Sequence, residues 1–210
     1  MSDLRDGPLA EAIRDHRLVA ILRRVEPQEA LFALVDELAD AGVRIIEITF
    51  DSVTAPADIR ALRTRLDARG DGSYFLGAGT LLRPAQLESA IDAGAQFCVS
   101  PVLELDLLRR SLDAGVPFTA TGMTSTEMWT AWSAGATFIK LFPASAVGPQ
   151  FIRELRGPLP QIQIVPSGGV DASNARAFLD AGAVAVGLSS ALVRATSAER
   201  RALISSLNDS

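Results

Sequence analysis

Across 210 residues the chain carries one cysteine, one histidine and, among 20 Lys and Arg residues, a single lysine, Lys140. Each scarcity excludes something. One cysteine, Cys98, allows no internal disulfide, and a chain without disulfides suits a reducing cytoplasm. One histidine, His16, and one cysteine cannot make a His/Cys set with zinc-ligand spacing. Nor do they build a Ser-His-Asp or Cys-His nucleophile. His16 falls in a short helical pattern ahead of the first strand, and Cys98 lies in the apolar run 97–99, where core packing is the simpler role. No apolar run reaches the ~18 residues of a membrane span. The first six residues lack the basic-then-apolar order of a signal peptide. A net charge of -5 argues against nucleic acid or an anionic membrane as partner. What remains is an ordinary globular composition, 48% hydrophobic, with length for one domain over 1–210 that buries roughly seven tenths of its unfolded surface.

A loose repeat gives the fold class. Asp40-Ala41-Gly42, Asp92-Ala93-Gly94, Asp113-Ala114-Gly115, Ser133-Ala134-Gly135 and Asp180-Ala181-Gly182 each close a helical pattern, and an apolar, β-rich stretch follows each. Glycine there supplies the left-handed residue that ends a helix. Reading outward from these stops predicts strands at 18–23, 44–50, 74–80, 96–101, 118–122, 137–143, 163–169 and 183–190. Helical patterns lie between them, the clearest over 27–41. Eight β-α alternations with nearly all-apolar strands predict a parallel sheet covered on both faces, closed into a (β/α)8 TIM barrel behind a short N-terminal helix. The alternative, a doubly wound open sheet, would place a Gly-rich dinucleotide loop after the first strand. Residues 22–26 are not one.

In such a barrel chemistry sits at the C-terminal strand ends. Lys140 lies mid-strand in Phe138-Ile139-Lys140-Leu141-Phe142-Pro143, where a charged ammonium is costly unless paired. An arginine cannot become a neutral amine, whereas a desolvated lysine can and then attacks a carbonyl to form an iminium. Glu47, inside the apolar strand 44–50, is the best general acid/base for the proton transfers such an iminium requires. The competing reading of the two is a structural Lys–Glu pair, or Glu47 paired with Arg23. Gly77-Ala78-Gly79-Thr80 offers close backbone approach and a hydroxyl for a carboxylate. Arg23 offers a two-point grip on a carboxylate or phosphate, or else a rim ion pair. Ser167-Gly168-Gly169 after the seventh strand and Ser189-Ser190 after the eighth are placed to form a phosphate site from backbone N–H groups. Phe142 to Ser145 would add donors beside Lys140. Trp129 and Trp132, three apart on one helix, suit a subunit contact or the core equally.

The ordered set Ala-Ile-Leu-Arg (20–23), Ile-Glu-Ile-Thr (46–49), Gly-Ala-Gly-Thr (77–80), Val-Ser-Pro (99–101), Lys-Leu-Phe-Pro (140–143), Gly-Pro-Gln-Phe (148–151), Pro-Ser-Gly-Gly-Val (166–170) and Val-Gly-Leu-Ser-Ser-Ala-Leu (186–192) resembles the 2-keto-3-deoxy-6-phosphogluconate aldolases. It extends to their relatives that act on the phosphogalactonate epimer and on 4-hydroxy-2-oxoglutarate. The resemblance covers essentially the whole chain. It implies a metal-free, cofactor-free class I aldolase, a homotrimeric barrel acting on a small 2-oxo acid. Phosphorylated sugar acids would yield pyruvate and glyceraldehyde 3-phosphate, and 4-hydroxy-2-oxoglutarate would yield pyruvate and glyoxylate. Lys140 matches the Schiff-base lysine and Glu47 the acid/base. Thr80 matches the pyruvate-carboxylate threonine, and Gly168, Gly169 and Ser190 the phosphate loops. Arg23, Pro101, Phe142, Ser167 and Ser189 complete the expected substrate site. The departures are Asp51 where gluconate-type members carry an arginine, Ala120-Thr121 in place of Pro-Gly, and Ser189 in place of a glycine. Ser167 and Ser145 point to opposite epimer branches, so the sequence leaves the epimer open. Two other readings remain: a sugar-phosphate epimerase or isomerase barrel without a covalent amine, and a non-catalytic phosphosugar-binding protein.

Overall fold

The computed structural model describes residues 4–71 and 73–208. Eight parallel strands alternate with helices: β1 (Leu18–Leu22), β2 (Ile45–Thr49), β3 (Phe75–Gly79), β4 (Cys98–Val99), β5 (Phe118–Gly122), β6 (Phe138–Leu141), β7 (Ile164–Pro166) and β8 (Val186–Leu188). Their order runs β7-β6-β5-β4-β3-β2-β1-β8. A bridge from Ser167 to Gly187 brings the two outer strands together, which makes the sheet a nearly closed (β/α)8 barrel. The outer helices are α2 (Gln28–Asp40), α3 (Ala55–Asp67), α4 (Pro84–Asp92), α5 (Leu105–Asp113), α6 (Ser125–Ser133), α7 (Gly148–Leu155) and α8 (Ala175–Asp180), with α9 (Ser190–Val193) and α10 (Ser197–Asn208) after the last strand. The five repeat glycines end helices as expected: Gly42, Gly94, Gly115, Gly135 and Gly182 all have positive φ. Beside them the next residue donates to the carbonyl five positions back, as in Val43 to Leu38 and Ala136 to Ala131, the Schellman closure.

Most strands are shorter than the ranges expected from the sequence. The ladder stops at Leu22, Gly79, Val99 and Leu188, so Arg23, Thr80, Pro101 and Ser189 lie just past it, at the rim.

Strand alternation divides the core in two. One face of each strand packs outward against the helices, as with Ala20, Ile46, Leu76, Phe118, Ile139 and Ile164. The other face fills the barrel, with Val19, Ile21, Ile45, Phe97, Val99, Phe138 and Val165. Helix α1 (Pro8–His16) closes the N-terminal end by adding Leu9, Ala10 and Ile13 to that inner cluster. Cys98 is fully buried on the outer side, and burial pushes its thiol up to about 12, so it packs rather than reacts. His16 is partly buried at the end of α1; burial first, then the charge of Arg44, lowers its basicity. Among the described residues no helix is long and apolar enough to cross a membrane.

Candidate active site

Toward the C-terminal end the barrel axis changes from apolar to polar. Glu47 on β2, Thr121 on β5, Lys140 on β6 and Ser167 after β7 are all buried there. Parallel register sets Thr121 beside Lys140 and Lys140 beside Val165. Across the axis, Lys140 Nζ lies 3.8 Å from Glu47 Oε2, with side chains 9% and 2% exposed. That distance is beyond the 2.7–2.9 Å of a charge-assisted hydrogen bond. Glu47 Oε1 is buried and accepts nothing among the described residues. The two groups therefore face each other across a gap, unlike a closed structural pair with its lone pairs satisfied. Glu47, Lys140, Ser167 and Thr119 line a cavity of about 20 Å³, with Ile21 and Phe97 among its apolar walls. Most of that lining is apolar, and Glu47, Lys140, Ser167 and Thr119 are its polar side chains.

The glycines of 77–80 do something other than expected. A Cβ on Gly77 would meet the Phe97 ring at 2.5 Å, and one on Gly79 would meet Glu47 Oε1 at 1.8 Å. Their absent side chains admit the protein's own groups rather than a ligand. Gly79 in particular is the bed on which the Glu47 carboxylate lies.

At the rim, Arg23 is paired, but not with Glu47. Its Nη1 donates to Asp51 Oδ2 at 2.7 Å and its Nη2 to Thr80 Oγ1 at 3.1 Å. The rim ion pair expected for Arg23 is therefore present, with Asp51 as its acid. Arg24 Nε reaches the same Asp51 oxygen at 3.1 Å. Burial pushes the Asp51 carboxyl up, but the nearby Thr49 hydroxyl, the hydrogen bond from Arg23 and the charges of Arg23 and Arg24 outweigh it and hold the group below its usual range. Thr80 adopts φ 60°, an uncommon conformation for a β-branched residue.

Opposite this rim, Gly168 and Gly169 have φ 81° and 76°. The Phe142 ring lies over Gly168, where a Cβ would come within 2.8 Å of it, and the Lys140 ammonium sits 5.8 Å from the centroid of that ring. Two of the expected donors at 142–145 are already used: Ala144 N–H donates to the Ser167 carbonyl at 2.8 Å and Ser145 N–H to the Gly168 carbonyl at 3.0 Å. They stitch β6 to the β7 loop instead of facing the site. Ser189 is partly exposed and Ser190, the first residue of α9, is exposed.

Sequence reasoning named Asp51 and Thr121 only as departures. The structure brings both to the site, Thr121 donating to the Ser100 carbonyl at 2.6 Å. The two tryptophans separate: Trp129 is 46% exposed, while Trp132 packs on the core under the Arg5 guanidinium at 3.8 Å.

Residues 9–205 match the family model described as KDPG and KHG aldolase. The chain is 40% identical over 187 residues to the 2-dehydro-3-deoxy-6-phosphogalactonate aldolase of Escherichia coli K12, covering 88% of this chain and 89% of that one. It is 33% identical over 172 residues to the 2-dehydro-3-deoxy-phosphogluconate aldolase of Haemophilus influenzae, covering 81% and 78%. A solved structure described as native KDPGal superposes with a TM-score of 0.80 at 36% identity, covering 90% of this chain and 91% of that one. With its barrel, its rim and its facing lysine and glutamate, the chain belongs to the KDPG and KHG aldolase family.

Proposed function

We propose that this aldolase cleaves a 2-keto-3-deoxy-6-phospho sugar acid, of gluconate or galactonate type, through a Schiff base on Lys140. The observation that carries the reading is the open Lys140–Glu47 pair: two buried, opposed groups 3.8 Å apart with one carboxylate oxygen unbonded. The Lys140 amine attacks the C2 carbonyl, and Glu47 supplies and removes protons as the carbinolamine loses water to give the iminium. A base then takes the C4 hydroxyl proton, the C3–C4 bond breaks, and its electron pair passes into the enamine as glyceraldehyde 3-phosphate leaves. Protonation at C3 and hydrolysis release pyruvate and restore the amine. Glu47, facing Lys140 across the barrel axis, is the group positioned to handle these protons.

Arg23 and Thr80 receive the substrate carboxylate, with Pro101 and Phe142 flanking it. Backbone donors of Gly168 and Gly169, with Ser167, Ser189 and Ser190, receive the phosphate. 4-Hydroxy-2-oxoglutarate, which would yield pyruvate and glyoxylate, is a second substrate of the same site. We read the chain as one cytoplasmic aldolase domain.

Reduction with borohydride in the presence of pyruvate is the direct test. A reduced pyruvyl adduct on Lys140, with pyruvate released from one or both phosphorylated epimers, is the expected result. No adduct in folded protein at saturating pyruvate would move the assignment to a non-covalent epimerase or a binding protein.

The family resemblance also carries a homotrimer. Its support here is a run of exposed apolar residues on adjacent segments of one side of the barrel: Val53, Leu82, Val102, Met123 and Trp129. They follow, or in the case of Trp129 lie on the helix after, the neighbouring strands β2 to β5. Large apolar side chains gathered on one side suit a contact between copies. Sedimentation should give three times the chain mass, and Val102→Asp with Trp129→Asp should lower it; a wild-type chain that sediments as a monomer removes the proposal.

A further inference from the structure

We infer that Asp51 is a positioning residue for the substrate carboxylate, fixing Arg23 against Thr80 before substrate arrives. The inference rests on the reading that Arg23 and Thr80 receive that carboxylate. Arg23 is long and its side chain is 43% exposed. Such a side chain ordinarily samples many rotamers, and ordering it on binding weakens affinity. Here it is held at two points, by Asp51 Oδ2 at 2.7 Å and by Thr80 Oγ1 at 3.1 Å. Asp51 is the firmer end. Its side chain is only 17% exposed, and the same oxygen also holds Arg24 Nε at 3.1 Å.

The three residues come from different strand ends, β1, β2 and β3, and two of the segments are in left-handed backbone: Arg24 at φ 48° and Thr80 at φ 60°. Neither conformation is favoured locally, so tertiary contacts must hold it. The chain of contacts from Arg24 and Asp51 through Arg23 to Thr80 supplies them. It has a chemical consequence at Thr80. Because its oxygen accepts from Arg23, the hydroxyl hydrogen is left to donate, and a carboxylate is the acceptor that uses it. Asp51 also balances one of two adjacent guanidinium charges, leaving the rim attractive to an anion without leaving Arg23 free to swing into solvent.

The test compares Asp51→Ala, Asp51→Asn, Arg23→Ala and the Asp51→Ala/Arg23→Ala double variant. Each is titrated with pyruvate under borohydride reduction and scored by the pyruvate concentration giving half-maximal adduct on Lys140. The turnover number for retro-aldol cleavage and the melting temperature are measured alongside. Arg23→Ala should raise the half-saturating concentration about ten- to a hundredfold, the effect of losing a hydrogen bond to a charged group. Asp51→Ala should raise it about tenfold, with a smaller change in turnover number, and Asp51→Asn, which keeps an acceptor but loses the charge, should fall between. Because Asp51 acts through Arg23, the double variant should match Arg23→Ala alone.

Three results overturn the inference. If Arg23→Ala weakens pyruvate but Asp51→Ala leaves it unchanged or tighter, Asp51 is a bystander or a competing counter-ion, and the carboxylate reading survives. If the two effects multiply, Asp51 acts independently of Arg23. If Arg23→Ala itself has no effect, the carboxylate assignment fails together with the inference.

Discussion

Lys140→Arg is expected to lower turnover by about four orders of magnitude or more, the scale of losing a covalent nucleophile, and to eliminate the borohydride adduct, while the barrel stays folded. The fold should survive because arginine keeps a positive charge opposite Glu47. Removing that charge altogether would leave a carboxylate alone in the barrel, a loss worth about 3–5 kcal/mol when a buried pair is broken. The larger guanidinium should cost no more than the usual ~1–3 kcal/mol of overpacking, because the side chain reaches toward the open end where Phe142 is exposed. The chemistry should not survive, since a guanidinium stays protonated at any pH the fold tolerates and offers no lone pair to a carbonyl. Circular dichroism and melting separate the two effects. Appreciable cleavage by a folded Lys140→Arg protein would mean that the amine is not the nucleophile.

This variant was legible in the sequence because composition isolates Lys140. In a chain that otherwise uses arginine for every cation, one lysine inside an apolar strand needs a reason that arginine cannot meet. The barrel was legible for a related cause: the helix stops at Gly42, Gly94, Gly115, Gly135 and Gly182 are local events, and a positive-φ glycine marks them without reference to the rest of the chain. What stayed hidden depends on distant partners. Asp51 reads as an ordinary acid in a turn until the β1–β2 register, with Ile21 beside Glu47, carries Arg23 to it from 28 positions earlier. The N–H groups of Ala144 and Ser145 look free in the sequence, yet they are taken by carbonyls 23 residues later, at Ser167 and Gly168. Strand limits were overextended because apolarity begins before the ladder does, as at Phe97 ahead of Cys98 and at Ala183 to Ala185 ahead of Val186, and hydrophobic pattern reports burial rather than pairing.

The glycines of β3 carry the second large effect, which inverts their expected role. Gly79→Ala should cut turnover by about 10²–10⁴-fold, the range for losing a positioned acid/base, without altering any group proposed to touch substrate. A methyl at that position would overlap the carboxylate, at 1.8 Å from Glu47 Oε1, 2.4 Å from Cδ and 2.7 Å from Cγ. Atoms do not approach so closely, and the backbone of a central barrel strand, paired on both sides, is harder to move than a side chain. Glu47 must therefore turn away from Lys140, and the gap that lets it serve the reacting atoms is lost. Gly77→Ala is the control. It introduces a comparable overlap, 2.5 Å from the Phe97 ring, in the same strand and on the same face, but against an apolar neighbour. It should lower the melting temperature about as much, by the ~1–3 kcal/mol of an overpacked core, with a far smaller loss of turnover. Glu47→Gln should lose about as much activity as Gly79→Ala, and combining them should add little, because both remove one function. If Gly79→Ala turns over as Gly77→Ala does, or if its loss multiplies with that of Glu47→Gln, then the carboxylate held on β3 is not the group that moves the protons.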